Sequence, residues 1–319
     1  MSIPFNNPAF SKSLKGFLIK LLLFTGTVVV FDQITGYLLK KSFHSQVSGP
    51  EYRTKFSMEG TTAKTIILGS SRAEWIISPK QVEDSLHTTC WNAGRNGHPI
   101  FYHEAVLESI LKRYTPERVI FCMDALAFSK FEEAYDRIAT LLPFYETHPE
   151  IRNIVQLKGR WESLKMYSAT YPYNSMILPV LSGHKKDNPK DEGIYNGFKP
   201  LTDIVGGLPE QRDYLKDRYI DSVKLNSYRN ILRRCREKGI QIIVVVPPYY
   251  VTANAEDASI VAGRKAADAL NVPFLDYSED SFYLKHGEWF SDYRHLNDKG
   301  VVHFNGVLLQ TLKLVKYRH

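Results

Sequence analysis

Cysteine is scarce in this 319-residue chain, and the little present forms no pattern. Cys90, Cys122 and Cys235 are far apart, odd in number and without a C-x-x-C pair, which argues against a disulfide framework or a thiolate zinc site. Cys122 lies in a strand-like run and Cys235 on a helical face, so both read as small core residues. The ten histidines show no metal-ligand spacing. His98 and His103 flank a helix start and read as local structure. A phosphate loop of the G-x-x-x-x-G-K-[ST] kind is absent, and N-A-G-R-N-G lacks the dinucleotide pattern. No metal or other cofactor is therefore expected. Basic residues form no block: 41 of them against 34 acidic give a net charge of +7, spread along the chain. That is a poor footprint for nucleic acid, and no nucleic-acid partner is expected. Internal repeats and low-complexity segments are also missing.

What the chain does have is a long apolar run near its start. Gly16–Leu39 reads GFLIKLLLFTGTVVVFDQITGYLL, interrupted by Lys20 and Asp32 and flanked by Lys12, Lys15, Lys40 and Lys41. Crossing ~30 Å of hydrocarbon takes ~20 largely apolar residues. Lys20 is near one end, where it can snorkel, and Asp32 falls towards the far boundary. No small-residue cleavage site follows, so a retained anchor is expected, the alternative being a buried or amphipathic helix packed on the domain. The flanking lysines barely bias orientation. A short tail before a large domain favours placing that domain outside the cytoplasm, in a periplasmic or other extracytoplasmic space. Residues 1–45 are thus expected to form tail and anchor, with residues 46–319 as one folded domain.

Beyond a polar segment, His44–Thr62, that reads as a linker, strands and helices alternate. Strands are predicted at Lys64–Leu68, Thr88–Asn92, Arg118–Met123, Ile240–Val246 and Val272–Leu275. Ser78-Pro79 starts a helix ending near His87. Val106, Leu107, Ile110 and Leu111 share one face of another, and a last helix runs from about Asn297 to about Val315. With 44% hydrophobic and 24% charged residues the chain can build a sizeable core. The alternation predicts an α/β fold with a five-stranded, doubly wound parallel sheet between helices. Ser129 to Gly239 is too long for a simple crossover. It is expected to hold a mainly helical insertion, about residues 130–225, beside the active edge. Its aromatics (Phe131, Tyr135, Phe144, Tyr145, Trp161, Tyr167, Tyr171, Tyr173) suit core packing first and a substrate groove second.

Two stretches carry chemistry. T-I-I-L-G-S-S-R (Thr65–Arg72) is a buried strand broken at Gly69, and ligands gather beyond the carboxyl ends of such strands. On these residues alone, Ser70 and Ser71 are interchangeable, and ordinary turn composition explains both. W-F-S-D-Y-R-H-L-N-D-K-G (Trp289–Gly300) puts Asp292 three residues before His295, close enough for the aspartate to orient the imidazole as a base for a serine. Asp84 and His87 have the same spacing but fall at the wrong end of the sheet. Context separates the two pairs.

These stretches resemble blocks of the SGNH (GDSL-like) hydrolases. The similarity is to an anchored cell-envelope branch akin to proteins of polysaccharide and teichoic-acid acylation, over about residues 64–315 without most of the insertion. The resemblance implies a flavodoxin-like SGNH fold. It makes Ser71 the nucleophile, His295 the base and Asp292 its orienter. Asn92–Gly97 looks like the second block, so Gly97 would donate its N–H to the oxyanion beside the N–H of Ser71. The third block departs: Met123-Asp124-Ala125-Leu126 has no asparagine, and losing an oxyanion donor can cost ~10²–10³ in turnover. Asn92 and Asn96 are candidate substitutes. Asp124 is a candidate for substrate binding or for holding a turn, and Arg72 for meeting an anionic group. The implied activity is that of a serine esterase or O-acyl (acetyl) transferase acting on ester-linked acyl groups of a cell-envelope glycan. Other envelope biosynthesis proteins are implied as partners. The alternative is a non-catalytic glycan-binding or assembly protein, which the missing asparagine favours.

Overall fold

The computed structural model describes residues 8–188, 191–204, 219–250 and 257–314. Five parallel strands, β1 (Thr65–Gly69), β2 (Cys90–Asn92), β3 (Arg118–Cys122), β4 (Gln241–Val246) and β5 (Phe274–Asp276), form one sheet in the order β2-β1-β3-β4-β5. The chain is an α/β protein with the doubly wound order of flavodoxin-like folds. Strands buried on both faces can be apolar throughout. Successive residues then serve opposite faces, as in β1, where Ile66 and Leu68 join one core and Ile67 the other.

The helices divide accordingly. An apolar α1 (Pro8–His44) leads into α2 (Gly49–Lys55). Joining β1 to β2 are α3 (Ser71–Ile76) and α4 (Pro79–Leu86), and α5 (Ile100–Arg113) joins β2 to β3. Four short helices follow: α6 (Glu132–Asp136), α7 (Arg152–Gln156), α8 (Glu162–Lys165) and α9 (Ile177–Ser182). Then α10 (Ser222–Glu237) returns to β4, α11 (Ala258–Asp268) leads to β5, and α12 (Ser281–Leu284) precedes α13 (Asp298–Leu314). Val106, Ile110, Leu232 and Ala267 put α5, α10 and α11 on the Ile66 face. Ala73, Val82 and Leu308 put α3, α4 and α13 on the Ile67 face. Each of the valine, leucine and isoleucine side chains among these, fully buried, contributes roughly 1.5–3 kcal/mol.

Residues 14–31 of α1 rise about 27 Å. The helix is long and apolar enough to cross a membrane, and its apolar stretch is unburied among the described residues. From Asp32 onward the folded domain covers one side of it.

His44–Thr62 is not the linker its polarity suggested. After α2 comes a π-helical turn (Phe56–Gly60), with Glu51, Thr54, Ser57 and Met58 buried. The polar groups are satisfied by partners distant in sequence: Glu51 pairs with Arg95 at 2.6 Å and Arg53 with Glu74 at 3.0 Å. The long excursion between β3 and α10 is closed at its base by an antiparallel bridge between Ser129 and Ile220. Of its aromatics, Phe144 and Tyr173 pack on Phe43 of α1, and Tyr135 donates its hydroxyl to Asp221 at 2.7 Å.

Candidate active site

The sheet order reverses between β1 and β3, so the crevice at their carboxyl ends is where this topology leaves room for a ligand. Gly69 makes the exit from β1 possible. Its φ is +143°, and an added Cβ would come within 2.8 Å of the Ala73 Cβ. The chain turns directly into α3, and Ser71 occupies its first position. A helix's first N–H groups have no intrahelical acceptor, so the Ser71 N–H is available to a ligand.

Ser71 Oγ lies 2.8 Å from His295 Nε2. On the other side of the ring, His295 Nδ1 is 2.8 Å from Asp292 Oδ2 and 3.0 Å from Oδ1. Ser71 and His295 are both 7% exposed. Asp292 Oδ1 also accepts the backbone N–H groups of Arg294 and His295, at 2.7 and 3.0 Å. Burial alone would raise the Asp292 pKa, but the hydrogen bonds and charge of His295 hold it below the usual carboxylate value. The carboxylate therefore stays ionised and fixes the ring with Nδ1–H towards itself, leaving Nε2 to accept from the serine. Trp75, on α3, packs edge-on against His295 with ring centroids 4.7 Å apart.

A cleft of about 620 Å³ opens on this array, lined by Ser71, Gly97, Asn96, Asp124 and His295 together with Arg137, Lys224 and Arg294. Gly97 takes the third position of a turn in which His98 N–H donates to the Arg95 carbonyl at 3.1 Å. Its φ of +69° suits glycine there. The turn is clamped from behind: Asn96 N–H donates to Glu74 Oε2 at 2.6 Å, and Glu74 Oε1 pairs with Arg53.

The remaining candidates divide. Asn96 lines the cleft, but Asn92 does not: its amide donates to the Ala73 and Ile77 carbonyls (2.7 and 2.9 Å) and its Oδ1 accepts the Gly94 N–H. Asn92 is a brace between β2 and α3, with no donor left for an oxyanion. Arg72, expected to meet an anion, is fully buried. Its guanidinium stacks 3.5 Å over the Tyr249 ring centroid and donates to the Pro247 and Pro248 carbonyls. Helix α3 turns Arg72 inward as it turns Ser71 to the cleft. Asp124 reaches the cleft edge, accepts the Ser70 hydroxyl and lies 3.6 Å from Arg72 Nε. Ser70 is thereby used as a turn residue. Asp84 pairs with Lys80 and His87 closes α4 in a left-handed conformation, both away from the cleft.

Sequence reasoning missed Trp75, Glu74, Arg137 and Lys224. Arg294 alone had a signal, since it sits inside the Asp292–His295 block. Its guanidinium is disfavoured by burial, but Asp124 and Tyr249 nearby keep it firmly charged. From the excursion, Phe131 and Arg137 reach the cleft, and Arg137 presses on Gly97, where an added Cβ would stand 2.6 Å from Nη1. His98 bridges the Asn96 carbonyl and the Thr140 hydroxyl at 3.0 and 2.9 Å. Burial and the Arg95 charge keep it neutral.

No protein-family model matches this chain, and the comparison with curated proteins found no match. Among solved structures, a lipase/acylhydrolase from Enterococcus faecalis is 13% identical, with a TM-score of 0.38, covering 80% of this chain and 98% of its own. An acetyl xylan esterase is 12% identical, with a TM-score of 0.38, covering 78% and 99%. Likenesses this distant do not bear on chemistry, which rests on the site itself.

Proposed function

We propose that the protein is a serine esterase or O-acyltransferase using Ser71, His295 and Asp292, and that it acts on ester-linked acyl groups of a cell-envelope glycan. The observation that carries this reading is the continuous relay from Ser71 Oγ to His295 to Asp292, with 2.8 Å at each step. As His295 Nε2 takes the hydroxyl proton, Ser71 Oγ attacks the ester carbonyl carbon, and the carbonyl oxygen becomes an oxyanion. The Ser71 and Gly97 N–H groups are the donors for it, and the Arg137 guanidinium beside Gly97 adds positive charge where charge develops. Collapse breaks the ester C–O bond, and His295 returns the proton to the departing sugar hydroxyl. An acyl-Ser71 remains. Water attacking that carbonyl gives the carboxylic acid, whereas an acceptor hydroxyl gives a new ester. In either case His295 takes the incoming proton and hands it back to Ser71.

Apolar α1 supports a bilayer span; we place the domain on the extracytoplasmic side, with other envelope biosynthesis proteins as neighbours. The rival reading, a non-catalytic glycan-binding protein, draws on one observation: the turn after β3, Met123-Asp124-Ala125-Leu126, has no asparagine to assist an oxyanion. Acetate release from an acetylated envelope glycan, with and without an unacylated acceptor, separates the readings. Release that Ser71→Ala abolishes supports the enzyme, and acceptor-dependent transfer makes it a transferase. Glycan binding with no release by wild type would replace the enzyme reading with the binding one.

A further inference from the structure

The excursion between β3 and α10 carries a patch the chemistry above does not use. Trp161, Leu164 and Tyr167 are 58, 59 and 82% exposed. They lie three residues apart on two successive turns, with Leu164 N–H donating to the Trp161 carbonyl and Tyr167 N–H to the Leu164 carbonyl, both at 3.1 Å. Three large side chains exposed on and beside the short helix α8 are not explained by the core.

Their place relative to α1 is fixed. The segment just after Tyr167 is bonded to Asp32, whose carboxylate accepts the Ser168 hydroxyl at 2.7 Å and the Ala169 N–H at 2.8 Å. The Tyr167 carbonyl is 3.5 Å from Gln33 Nε2, and Gly36 lets the backbone of Ala169 lie directly on the helix. Phe31, the last residue of the uncovered apolar stretch, is only about 3 Å below Gln33 along the axis. Tyr167, at one end of the patch, therefore stands level with the end of that stretch.

Resting on the reading of α1 as a bilayer span, we infer that the Trp161–Leu164–Tyr167 face lies in the headgroup region of the same bilayer and seats the catalytic domain on it. Three observations favour lipid as the occupant. Tyr167, at one end of the face, adjoins α1 just above its uncovered stretch, its carbonyl 3.5 Å from Gln33 Nε2. Tryptophan and tyrosine suit the boundary between hydrocarbon and water. Arg160, whose guanidinium lies 5.0 Å over the Trp161 ring, offers a cation to anionic headgroups. The joint at Asp32 then fixes the tilt of the domain, so that the cleft keeps one orientation to the membrane.

The three native cysteines are buried, so a fluorophore on an introduced cysteine reports one place. Leu164→Cys, Tyr167→Cys, Val29→Cys on α1 and Val302→Cys on the exposed side of α13 would be labelled in the full chain. Each would be placed in nanodiscs of phosphatidylcholine and phosphatidylglycerol in equal parts. Labels at 164 and 167 should lose fluorescence to a nitroxide on the lipid headgroup more than to one at the acyl-chain end. The label at 29 should show the reverse, and that at 302 should respond only to aqueous iodide. If 164 and 167 behave like 302 while 29 is quenched from the chain end, the face is in water; the inference fails and the span stands. Shielding of 164 and 167 from all three quenchers would mean a protein contact and overturn it too. If 29 is not quenched by lipid, the span reading falls and takes this inference with it.

Discussion

Glu74 touches no reacting atom in this account, yet its removal should damage catalysis. Its side chain is 5% exposed and holds two things at once: Asn96 N–H at 2.6 Å, next to Gly97, and Arg53 at 3.0 Å. In Glu74→Ala the Asn96 N–H loses a part-buried hydrogen bond to a charged acceptor, a net loss of about 1.5–3 kcal/mol. Breaking a buried ion pair costs ~3–5 kcal/mol when the partner is abandoned. Arg53 is not abandoned, because Asp191 remains 2.5 Å away. A total near 3 kcal/mol follows, which for a domain of this size lowers Tm by roughly 6–10 °C. Catalysis should suffer separately. If the Asn96-Gly97 turn relaxes by ~1 Å, the oxyanion donor is misplaced, at a cost of up to ~10²-fold. That contact matures only in the transition state, so the loss should fall on kcat with KM little changed. Glu74→Gln keeps an acceptor for Asn96 and should retain activity within about tenfold. Nitrophenyl acetate hydrolysis and thermal unfolding of the detergent-solubilised full chain provide both readouts. A Glu74→Ala protein with lowered Tm but unchanged kcat would refute the claim that this turn is held for catalysis.

Arg72→Lys should lower the denaturation midpoint by an amount equivalent to several kcal/mol, since an ammonium cannot stack on Tyr249 while bonding two carbonyls. Asp292→Asn should cut kcat by on the order of 10³–10⁴ by releasing the histidine tautomer. The Asp292 pKa is depressed in the fold, so its stabilisation is complete above the usual carboxylate value and is lost as pH falls through the lower folded value. The Tm gap between wild type and Asp292→Asn should accordingly stay constant from neutral pH to about 4 and narrow below it. His103 is buried with its pKa pushed down to about 4, against an ordinary value near 6.5. The unfolded chain binds a proton in that window and the folded one does not, so about 3 kcal/mol of stability should drain away as pH falls through it. In His103→Phe, which keeps the ring contacts with Tyr102 and Phe121, that slope should be absent from chemical denaturation measured across the same range.

The parts of this fold that were legible in sequence are those in which neighbouring residues carry the signal. Ile66-Ile67-Leu68 and Ile242 to Val246 announce strands buried on both faces, and their ends were placed within a residue or two. The Asp292–His295 contact spans one loop, so it too could be read locally. What could not be read depends on partners distant in sequence. Arg72 follows Ser71 directly, but only the packing of α3 against Tyr249 and Pro248 decides that it points inward. Asn92 has a donor suited to an oxyanion, and α3 consumes it. The polar run after α1 resembled a linker because Glu51 and Arg53 meet Arg95 and Glu74 only in the folded chain. The same holds for Arg137, brought to Gly97 by an excursion that no local pattern ties to the site.

The central claim is that Ser71, activated by His295, is a nucleophile, and a fluorophosphonate probe tests it without knowledge of the substrate. Peptide mass spectrometry of the labelled full chain should find the adduct on Ser71. It should be gone in Ser71→Ala and strongly slowed in His295→Ala. An unlabelled wild type, or labelling that persists unchanged in Ser71→Ala, would contradict the account.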